Sequence, residues 1–202
     1  YQEVKTDFLI CESTFALPIF NWDSTNKIVD QIVNWVNQSP NMTSILFCYS
    51  LGKAQRLLNL LKNKALKKIY VHNNIKKIND VYIKQGIDLK DEAKIDKNIK
   101  PKEYQGSLIL MPPSQNKVDL LKGFGDFQTA FASGWMLIRA LKNRSGYDKG
   151  FPISDHADWN GLITTIKSSQ AKKVFLDHGN GENLARYLRS KENLDIESFS
   201  SN

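Results

Sequence analysis

The sequence predicts an α/β protein built on a parallel or mostly parallel β-sheet. Short apolar segments of strand length alternate with segments whose apolar residues recur at helical spacing, and this alternation is typical of βαβ units. The 202 residues can bury one sizeable core, or one core and a small inserted domain. No apolar run approaches the length of a membrane span, so we expect no membrane partner.

The first half of the chain alternates regularly between the two kinds of element. Asp23 and Ser24 can cap a helix in which Ile28, Ile32 and Trp35 recur at helical spacing. The first strand is expected to be buried. The predicted strands are 7–12, 43–49 and 68–72, and the further predicted helices are 54–66 and 75–85.

The second half is less regular. Residues 88–104 are polar and rich in lysine, which favours a mostly exposed connection, and the glycines in residues 116–127 favour loop and edge structure. No Gly/Ser linker divides the chain, so a second domain would be inserted, with boundaries near residues 20 and 128. The predicted strands are 107–111, 130–133, 150–153 and 173–176, and the predicted helices are 160–170 and 181–191.

The charge balance is basic. A formal net charge of +7 and a pI of about 9.3 favour a polyanionic partner. Much of the excess lies in residues 62–102, where lysines are scattered among isoleucines, asparagines and aspartates. A solvated surface accounts better for most of these lysines than a dedicated binding site does.

Two features of the chain indicate its compartment and its extent. Cys11 and Cys48 each end an apolar, strand-like stretch, which is typical of reduced core thiols and predicts a cytoplasmic protein. The chain begins at Tyr1 without an initiator methionine or a signal peptide, and a core strand follows almost at once. We therefore expect a fragment of a longer protein.

Two of the three histidines lie just past the ends of predicted strands, where α/β proteins place their sites. Asp155 and Asp158 flank His156, and Asp177 precedes His178. A neutral imidazole is the commonest zinc ligand, and neighbouring carboxylates orient such ligands. The residues by themselves leave two interpretations open: a metal or acid–base site, or two histidines with ordinary hydrogen-bonding roles.

Two further polar residues have simpler explanations. His72 has no acidic or histidine neighbour in the sequence, so we expect it to be structural or exposed. Glu12 ends a strand and precedes two hydroxyl residues, and by itself it would be interpreted as a cap of a turn or helix.

Five motifs occur in an order that resembles a known enzyme family. Residues 12–16 (ESTFA) resemble the family's acidic motif A, residues 154–158 (SDHAD) its Ser-x-His-x-Asp motif B, and residues 178–179 its His-Gly motif C. Residues 49–55 (YSLGKAQ) are similar to the signature of its inserted domain, and residues 131–136 (FASGWM) to a segment of one bacterial branch. The chain thus resembles the metallo-β-lactamase-fold nucleases of the β-CASP type. Within them it resembles the bacterial DNA-ligase-associated exonucleases, which are like the mRNA 3′-end processing exonucleases.

The resemblance covers essentially all 202 residues and implies a fold. Residues 1–19 and 129–202 would form the C-terminal part of a metallo-β-lactamase (αββα) domain, and residues 20–128 an inserted Rossmann-like β-CASP domain. Ala16 replaces the family's usual glycine. The family's His-x-His-x-Asp-His motif and its bridging aspartate are absent and would lie upstream of Tyr1, which agrees with a C-terminal fragment.

The same resemblance implies a catalytic centre with two zinc ions bridged by a hydroxide. His178 would ligate one zinc, and His156 would act as general acid or contact the scissile phosphate. Glu12 would hydrogen-bond His156 and favour its protonated form. Asp155 and Asp158 would support these residues, although Asp158 is also well placed to cap the following helix.

Substrate contacts are expected around the turn that opens the second helix and around a Ser-Gly pair. A helix N-terminus favours phosphate, but the same turn could simply be a capped helix. Trp135 and Trp159 could stack on bases or pack in the core. The expected substrate-binding residues are Ser50, Gly52, Lys53, Ser133, Gly134 and Arg139.

The leading hypothesis is a zinc-dependent, exonuclease-like hydrolase of single-stranded DNA or RNA, with a DNA ligase as a partner on the strength of the family alone. It requires Glu12, His156 and His178 to converge, and it predicts that the 202-residue chain by itself is inactive. One alternative is a nucleic-acid-binding module or pseudo-enzyme without turnover. Another is a hydrolase of a small phosphate or ester on the same fold.

Overall fold

The structure, a computed structural model, describes residues 4–89, 92–96, 98–144, 146–179, 181–192 and 194–198. Within these ranges every paired strand is parallel to its neighbour, which confirms the predicted α/β class with parallel sheets. No helix in the described part of the chain is long and apolar enough to cross a membrane.

The elements follow one another in nearly regular alternation. The strands and helices, in chain order, are β1 (Phe8–Glu12), α1 (Thr25–Asn37), β2 (Thr43–Phe47), α2 (Lys53–Leu61), β3 (Ile69–Val71), α3 (Asn73–Lys84), β4 (Ala93–Lys94), α4 (Pro101–Tyr104), β5 (Leu108–Met111), α5 (Val118–Leu121), β6 (Phe127–Ala132), α6 (Arg139–Arg144), β7 (Lys149–Phe151), α7 (Trp159–Ser169), β8 (Lys173–Asp177), α8 (Glu182–Glu192) and β9 (Asp195–Ser198). Short 3-10 helices cover Pro113–Gln115, Lys122–Phe124 and Gly134–Leu137.

The chain divides into two compact units. The described residues up to Trp22 and from His156 onward form the smaller unit, and residues 23–155 form the larger one. The sequence placed the boundaries near residues 20 and 128. Residues 129–155 instead belong with the larger unit, because β6 pairs with β2 and β7 pairs with β6 in its sheet.

The larger unit is a six-stranded sheet with the order β4-β3-β5-β2-β6-β7. All five residues of β2 are buried, as expected for a central parallel strand covered on both faces. One face packs against α1, α2 and α3, and the other packs against a cluster that includes Tyr104, Leu121 and Phe124. Helix α1 begins at a true cap, since the Ser24 hydroxyl accepts a hydrogen bond from the Lys27 amide.

The connections of this sheet diverge between two neighbouring strands. After β2 the chain runs through α2 towards β3, on one side of β2, and after β6 it runs through α6 to β7, on the other side. Divergence of this kind opens a crevice at the carboxyl ends of the two strands, which is where doubly wound α/β folds bind their ligands.

The smaller unit is a three-stranded sheet with the order β1-β8-β9. Its core lies on the face covered by α7 and α8, where Leu162, Val174, Leu176 and Leu184 are buried. The sequence predicted that strand β1 is buried, but only one of its two faces packs against the core. On its other face, Phe8 is 66% exposed and Ile10 is 75% exposed.

Short elements account for most of the other differences from the predicted elements. The segment predicted as an exposed connection contains β4, α4 and a buried Tyr104, whose hydroxyl donates to the Asp96 carbonyl at 2.9 Å. The segment predicted as loop and edge contains α5 and a buried Phe124. Strand β9 and helix α6 were missed. These elements span two to six residues, which is too short for a hydrophobic period to be recognised.

The two cysteine thiols should differ from those of an unfolded chain in reactivity. Burial raises the pKa of the Cys48 thiol to about 12, and burial next to the Glu12 carboxylate raises that of Cys11 to about 11. Since the thiolate is the reactive form, we expect a thiol reagent at pH 8 to modify the folded protein at least about tenfold more slowly than the protein in guanidinium chloride.

A Cys11→Ala variant, in which Cys48 is the remaining thiol, shows which of the two labelling rates belongs to which cysteine. The partly exposed Cys11 should react before the fully buried Cys48. Rapid modification of both thiols in the folded protein would contradict the burial described here.

Candidate functional site

Glu12 and His156 meet in the smaller unit. Glu12 ends β1, and its Oε2 lies 3.3 Å from Nδ1 of His156. The same oxygen accepts a hydrogen bond from the Thr14 amide at 2.9 Å, which turns the chain at the strand end. Glu12 therefore both caps a turn and pairs with an imidazole, so the two interpretations of this residue are compatible.

The position of His156 is set by aromatic neighbours that precede α1 in the chain. The ring of Phe15 meets the imidazole edge to face at 5.8 Å between centroids. The indole N–H of Trp22 donates to the His156 carbonyl at 3.2 Å, and Phe15 also contacts Trp22 at 4.9 Å. Phe15 lies within the motif that pointed to Glu12, whereas nothing in the sequence singled out Trp22.

His178 lies at the end of the neighbouring strand. Strands β1 and β8 are in register, so Glu12 lies opposite Asp177 and His178 follows directly. The Ser13 amide and hydroxyl both donate to the Asp177 carbonyl, at 2.8 and 2.9 Å. These bonds fix the segments after the two strands next to each other, and the structure thus brings together the ends of the strands that carry Glu12 and His178.

The turn after His178 requires its glycine. His178 has a positive φ of 53°, and Gly179 has a φ of 133°. A Cβ added to Gly179 would lie 2.5 Å from the Ser13 carbonyl oxygen. The His-Gly sequence is therefore explained by the close approach of the turns that follow β8 and β1.

Asp158 supports the backbone around His156. Its Oδ1 accepts a hydrogen bond from the Gly161 amide at 2.8 Å and so caps α7, and its Oδ2 accepts one from the Trp22 amide at 3.0 Å. Both carboxylate oxygens of Asp158 thus bind main-chain amides, which is the capping role that the sequence allowed.

Asp155 forms an ionic cluster with Lys53 and Arg56 in the larger unit. Lys53 Nζ lies 2.8 Å from Asp155 Oδ2 and donates to the Ile153 carbonyl at 3.2 Å. Arg56 Nη1 donates to Asp155 Oδ1 at 3.0 Å and to the Ser154 carbonyl at 2.5 Å. The cluster holds the three residues that precede His156. Arg56 was not predicted, although a position three residues after Lys53 lies on the same helix face.

This cluster changes the interpretation of Lys53. The sequence predicted a phosphate contact, but the Lys53 side chain is only 5% exposed and its ammonium group is bound inside the unit. Partial burial acts to raise the pKa of the Asp155 carboxyl, but hydrogen bonds and charge from Lys53 and Arg56 outweigh it and hold that pKa below its usual value.

The remaining predicted substrate residues also lie in the larger unit. Gly52 has a φ of 78°, and its amide donates to the Gln55 side chain at 2.8 Å, which donates in turn to the Ser50 carbonyl at 3.0 Å. Ser133 and Gly134 are buried after β6, where the Ser133 amide donates to the Phe151 carbonyl at 3.1 Å. Arg139 is exposed at the start of α6.

Burial and hydrogen bonding decide the roles of Trp159 and His72, which the sequence left open. Trp159 is buried in the core and contacts Tyr187 at 5.3 Å between ring centroids, whereas Trp135 is exposed. His72 caps α3, because its Nδ1 accepts a hydrogen bond from the Asn74 amide at 3.2 Å. His72 is therefore structural, as expected.

The residues present do not by themselves complete a zinc site. Protein zinc sites use three or four ligands, and no group of three or more His, Cys, Asp or Glu side chains is arranged to hold a metal ion within the described ranges. His178, exposed at its strand end, supplies one imidazole at most.

Comparisons with known proteins give a limited similarity. No protein-family model matches the chain. The chain is 26% identical over 187 residues to a probable DNA ligase from Opitutus terrae, an alignment that covers 92% of this chain but 18% of that protein. It also resembles the crystal structure of a protein of unknown function from Enterococcus faecalis V583, with a TM-score of 0.58 and 13% identity, over 98% of this chain and 51% of that one. The structural likeness is one of fold.

A Gly179→Ala substitution tests the packing of the two turns. We expect it to lower the free energy of unfolding by about 2–4 kcal/mol, because it forces a Cβ against the Ser13 carbonyl and imposes an unfavourable φ. Urea unfolding measures this loss. Gly123→Ala is the matched control, since a Cβ there meets nothing within 4 Å, and it should change the stability by less than about 0.5 kcal/mol.

An Asp155→Asn substitution tests the ionic cluster. Removing the carboxylate leaves the buried Lys53 charge without its ion-pair partner, so we expect the free energy of unfolding to fall by about 1–3 kcal/mol near pH 7. This loss is smaller than for a fully buried pair, because Asp155 is partly exposed to solvent. The pKa of Asp155 is depressed in the folded protein, so its contribution is complete above the unfolded pKa and is lost as the pH falls through the folded one.

The stability difference between wild type and Asp155→Asn should therefore be constant from about pH 5 to 8 and should shrink below about pH 4. Asp119→Asn is the control, because Asp119 is fully exposed and only 3.7 Å from the exposed Lys122. Equal effects of the two substitutions would show that the cluster contributes nothing specific.

Proposed function

We propose that this chain contributes the proton-transfer half of a zinc-dependent nuclease that hydrolyses single-stranded DNA or RNA. The observation that carries the proposal is the contact between Glu12 Oε2 and His156 Nδ1 in the same unit as the His178 strand end. Two segments that are far apart in the sequence thus form one unit: the first contributes Glu12, and the second contributes His156 and His178.

The geometry of the pair supports a role in proton transfer. Phosphodiester hydrolysis requires a proton for the leaving oxygen, and a positioned histidine that supplies one contributes about 10²- to 10⁴-fold to the rate. The contact with Glu12 through Nδ1 supports one orientation of the ring. The Nε2 atom then faces away from Glu12, and His156 would deliver the proton from there.

Zinc remains part of the proposal through the family resemblance. When bound, zinc would lower the pKa of a water molecule and so supply the nucleophile. His178 would be one of its ligands, and the described residues do not provide the rest of a site. The assignment of the smaller unit to a metallo-β-lactamase domain and of the larger one to a β-CASP domain has the same basis.

The biological context is proposed from the similarity to a probable DNA ligase. This chain matches less than a fifth of that protein's length. We infer a DNA-processing role in which this chain acts alongside a ligase activity. The ligase reaction itself is not assigned to the chain.

A nucleic-acid-binding module without turnover is the second candidate. Charge favours it, because residues 23–155 contain 21 lysines and arginines against 12 aspartates and glutamates, a formal charge of +9. The remaining residues contain 7 basic and 9 acidic side chains, a formal charge of −2. Such a balance attracts a polyanion whether or not it is cleaved.

The test is cleavage of labelled single-stranded DNA and RNA, with added Zn²⁺, by the whole polypeptide that the gene encodes. We expect activity that His156→Ala lowers by about 10²- to 10⁴-fold and that Glu12→Gln lowers less, because glutamine keeps a hydrogen-bond acceptor. Glu197→Gln removes a carboxylate from the same unit, at its salt bridge with Lys173, and should leave the rate unchanged.

Two results would contradict the proposal. One is full activity of the His156→Ala protein, which would remove the proton-transfer role. The other is salt-dependent binding without cleavage by the whole polypeptide, which would favour the binding module. Tested by itself, the 202-residue chain is expected to be inactive, because a complete metal site is absent from its described residues.

A further inference from the structure

An exposed aromatic side chain follows each of the neighbouring strands β2 and β6. Tyr49 follows β2 and is 56% exposed, and Trp135 follows β6 and is 39% exposed. Leu51, between Tyr49 and the start of α2, is 68% exposed. Among the described residues of the larger unit, Tyr49 and Trp135 are the two exposed large aromatic side chains, and both lie at this one place in the sheet.

Neighbouring aromatic rings hold the Tyr49 ring in position. It meets Phe131 edge to face at 6.4 Å between centroids, Phe131 lies 5.3 Å from Tyr147, and Tyr147 lies 5.1 Å from Phe47. The Tyr49 carbonyl accepts a hydrogen bond from the Ala54 amide at 3.1 Å. A ring ordered in this way loses little conformational freedom when a ligand covers its exposed face.

Trp135 lies in an equally well-packed turn. The Ser133 amide bonds to the Phe151 carbonyl, and the Met136 amide bonds to the Ser133 carbonyl at 3.0 Å. Met136 is buried so closely against Gly150 that a Cβ there would lie 2.8 Å from the Met136 Cβ. The two residues on either side of Trp135 are thus buried, while Trp135 itself is 39% exposed.

The charge of the surrounding unit selects the class of ligand. At +9, the larger unit attracts polyanions, and the buried Lys53 is already bound to Asp155. Exposed cations such as Arg139 remain for the phosphate backbone. Aromatic rings in a basic unit are the combination that binds single-stranded nucleic acid, since every base has a face that stacks, whereas a duplex covers those faces.

We propose that Tyr49 and Trp135 form a stacking platform for the bases of single-stranded nucleic acid at the crevice between β2 and β6. The substrate class rests on the proposed function, but the platform belongs to the larger unit and requires no metal. Bases stack on the two rings, and phosphates interact with the exposed cations.

The experiment measures the affinity of the 202-residue chain for fluorescently labelled oligo-dT and oligo-rU by anisotropy. Tyr49→Ala and Trp135→Ala should each weaken binding by roughly 5- to 100-fold, and Tyr49→Phe and Trp135→Phe should retain most of the affinity. Tyr187→Ala is the matched control, because Tyr187 is 39% exposed but lies in the smaller unit. Thermal unfolding confirms that each variant is folded.

An abasic oligonucleotide of the same length separates stacking from charge. The wild-type chain should bind it more weakly than oligo-dT, and the two alanine variants should bind it as the wild type does. The dependence of affinity on salt should be the same in all these proteins, because the phosphate contacts are unchanged.

Several results would overturn the platform. One is unchanged affinity of both alanine variants for oligo-dT, and another is an equal loss on the abasic chain. A change of self-association without a change in oligonucleotide affinity would assign the rings to a protein contact. If His156→Ala abolishes cleavage while Tyr49→Ala and Trp135→Ala bind normally, the platform fails and the nuclease stands. If the 202-residue chain binds no oligonucleotide, the platform fails, and cleavage by the whole polypeptide separately decides the nuclease.

Discussion

The parallel pairing of β1 with β8 is the interaction on which the candidate site depends. It places Glu12 opposite Asp177, and the Ser13 amide and hydroxyl then bind the Asp177 carbonyl. Hydrogen bonds of this kind are individually modest, but a slip of one residue would move every side chain of β1 to the other face of the sheet. The buried face of β1, with Leu9 and Cys11 against the core, resists such a slip.

The second constraint is the ionic cluster that precedes His156. A buried ion pair stabilises a fold only when its geometry satisfies both charges, and here Asp155 meets Lys53 and Arg56 while both cations also bind main-chain carbonyls. The cluster fixes the segment through which the chain leaves the larger unit. Lys53 lies within a motif that resembles a substrate-binding signature. Its ion pair with Asp155 explains equally well why a lysine occurs at this position.

The two units differ in the chemistry that they can provide. The smaller unit has a slightly negative formal charge and contains the Glu12–His156 pair. The larger unit has a formal charge of +9 and exposes Tyr49 and Trp135 after the carboxyl ends of β2 and β6. In the proposed nuclease, the first unit would transfer protons and the second would hold the strand. An inserted binding domain can change substrate preference without changing the residues that carry out the reaction.

The sequence by itself determined the alternation of strands and helices, the strand-end positions of His156 and His178, and the possibility that Asp158 caps a helix, because these depend on local period and local hydrogen bonding. Only the tertiary structure decided that β6 and β7 belong to the larger unit and that the Lys53 ammonium is buried. It also showed that Tyr49 and Trp135 lie at the ends of neighbouring strands and that Trp22 supports His156. Those contacts join segments far apart in the chain, and neither composition nor spacing specifies which distant segments pair.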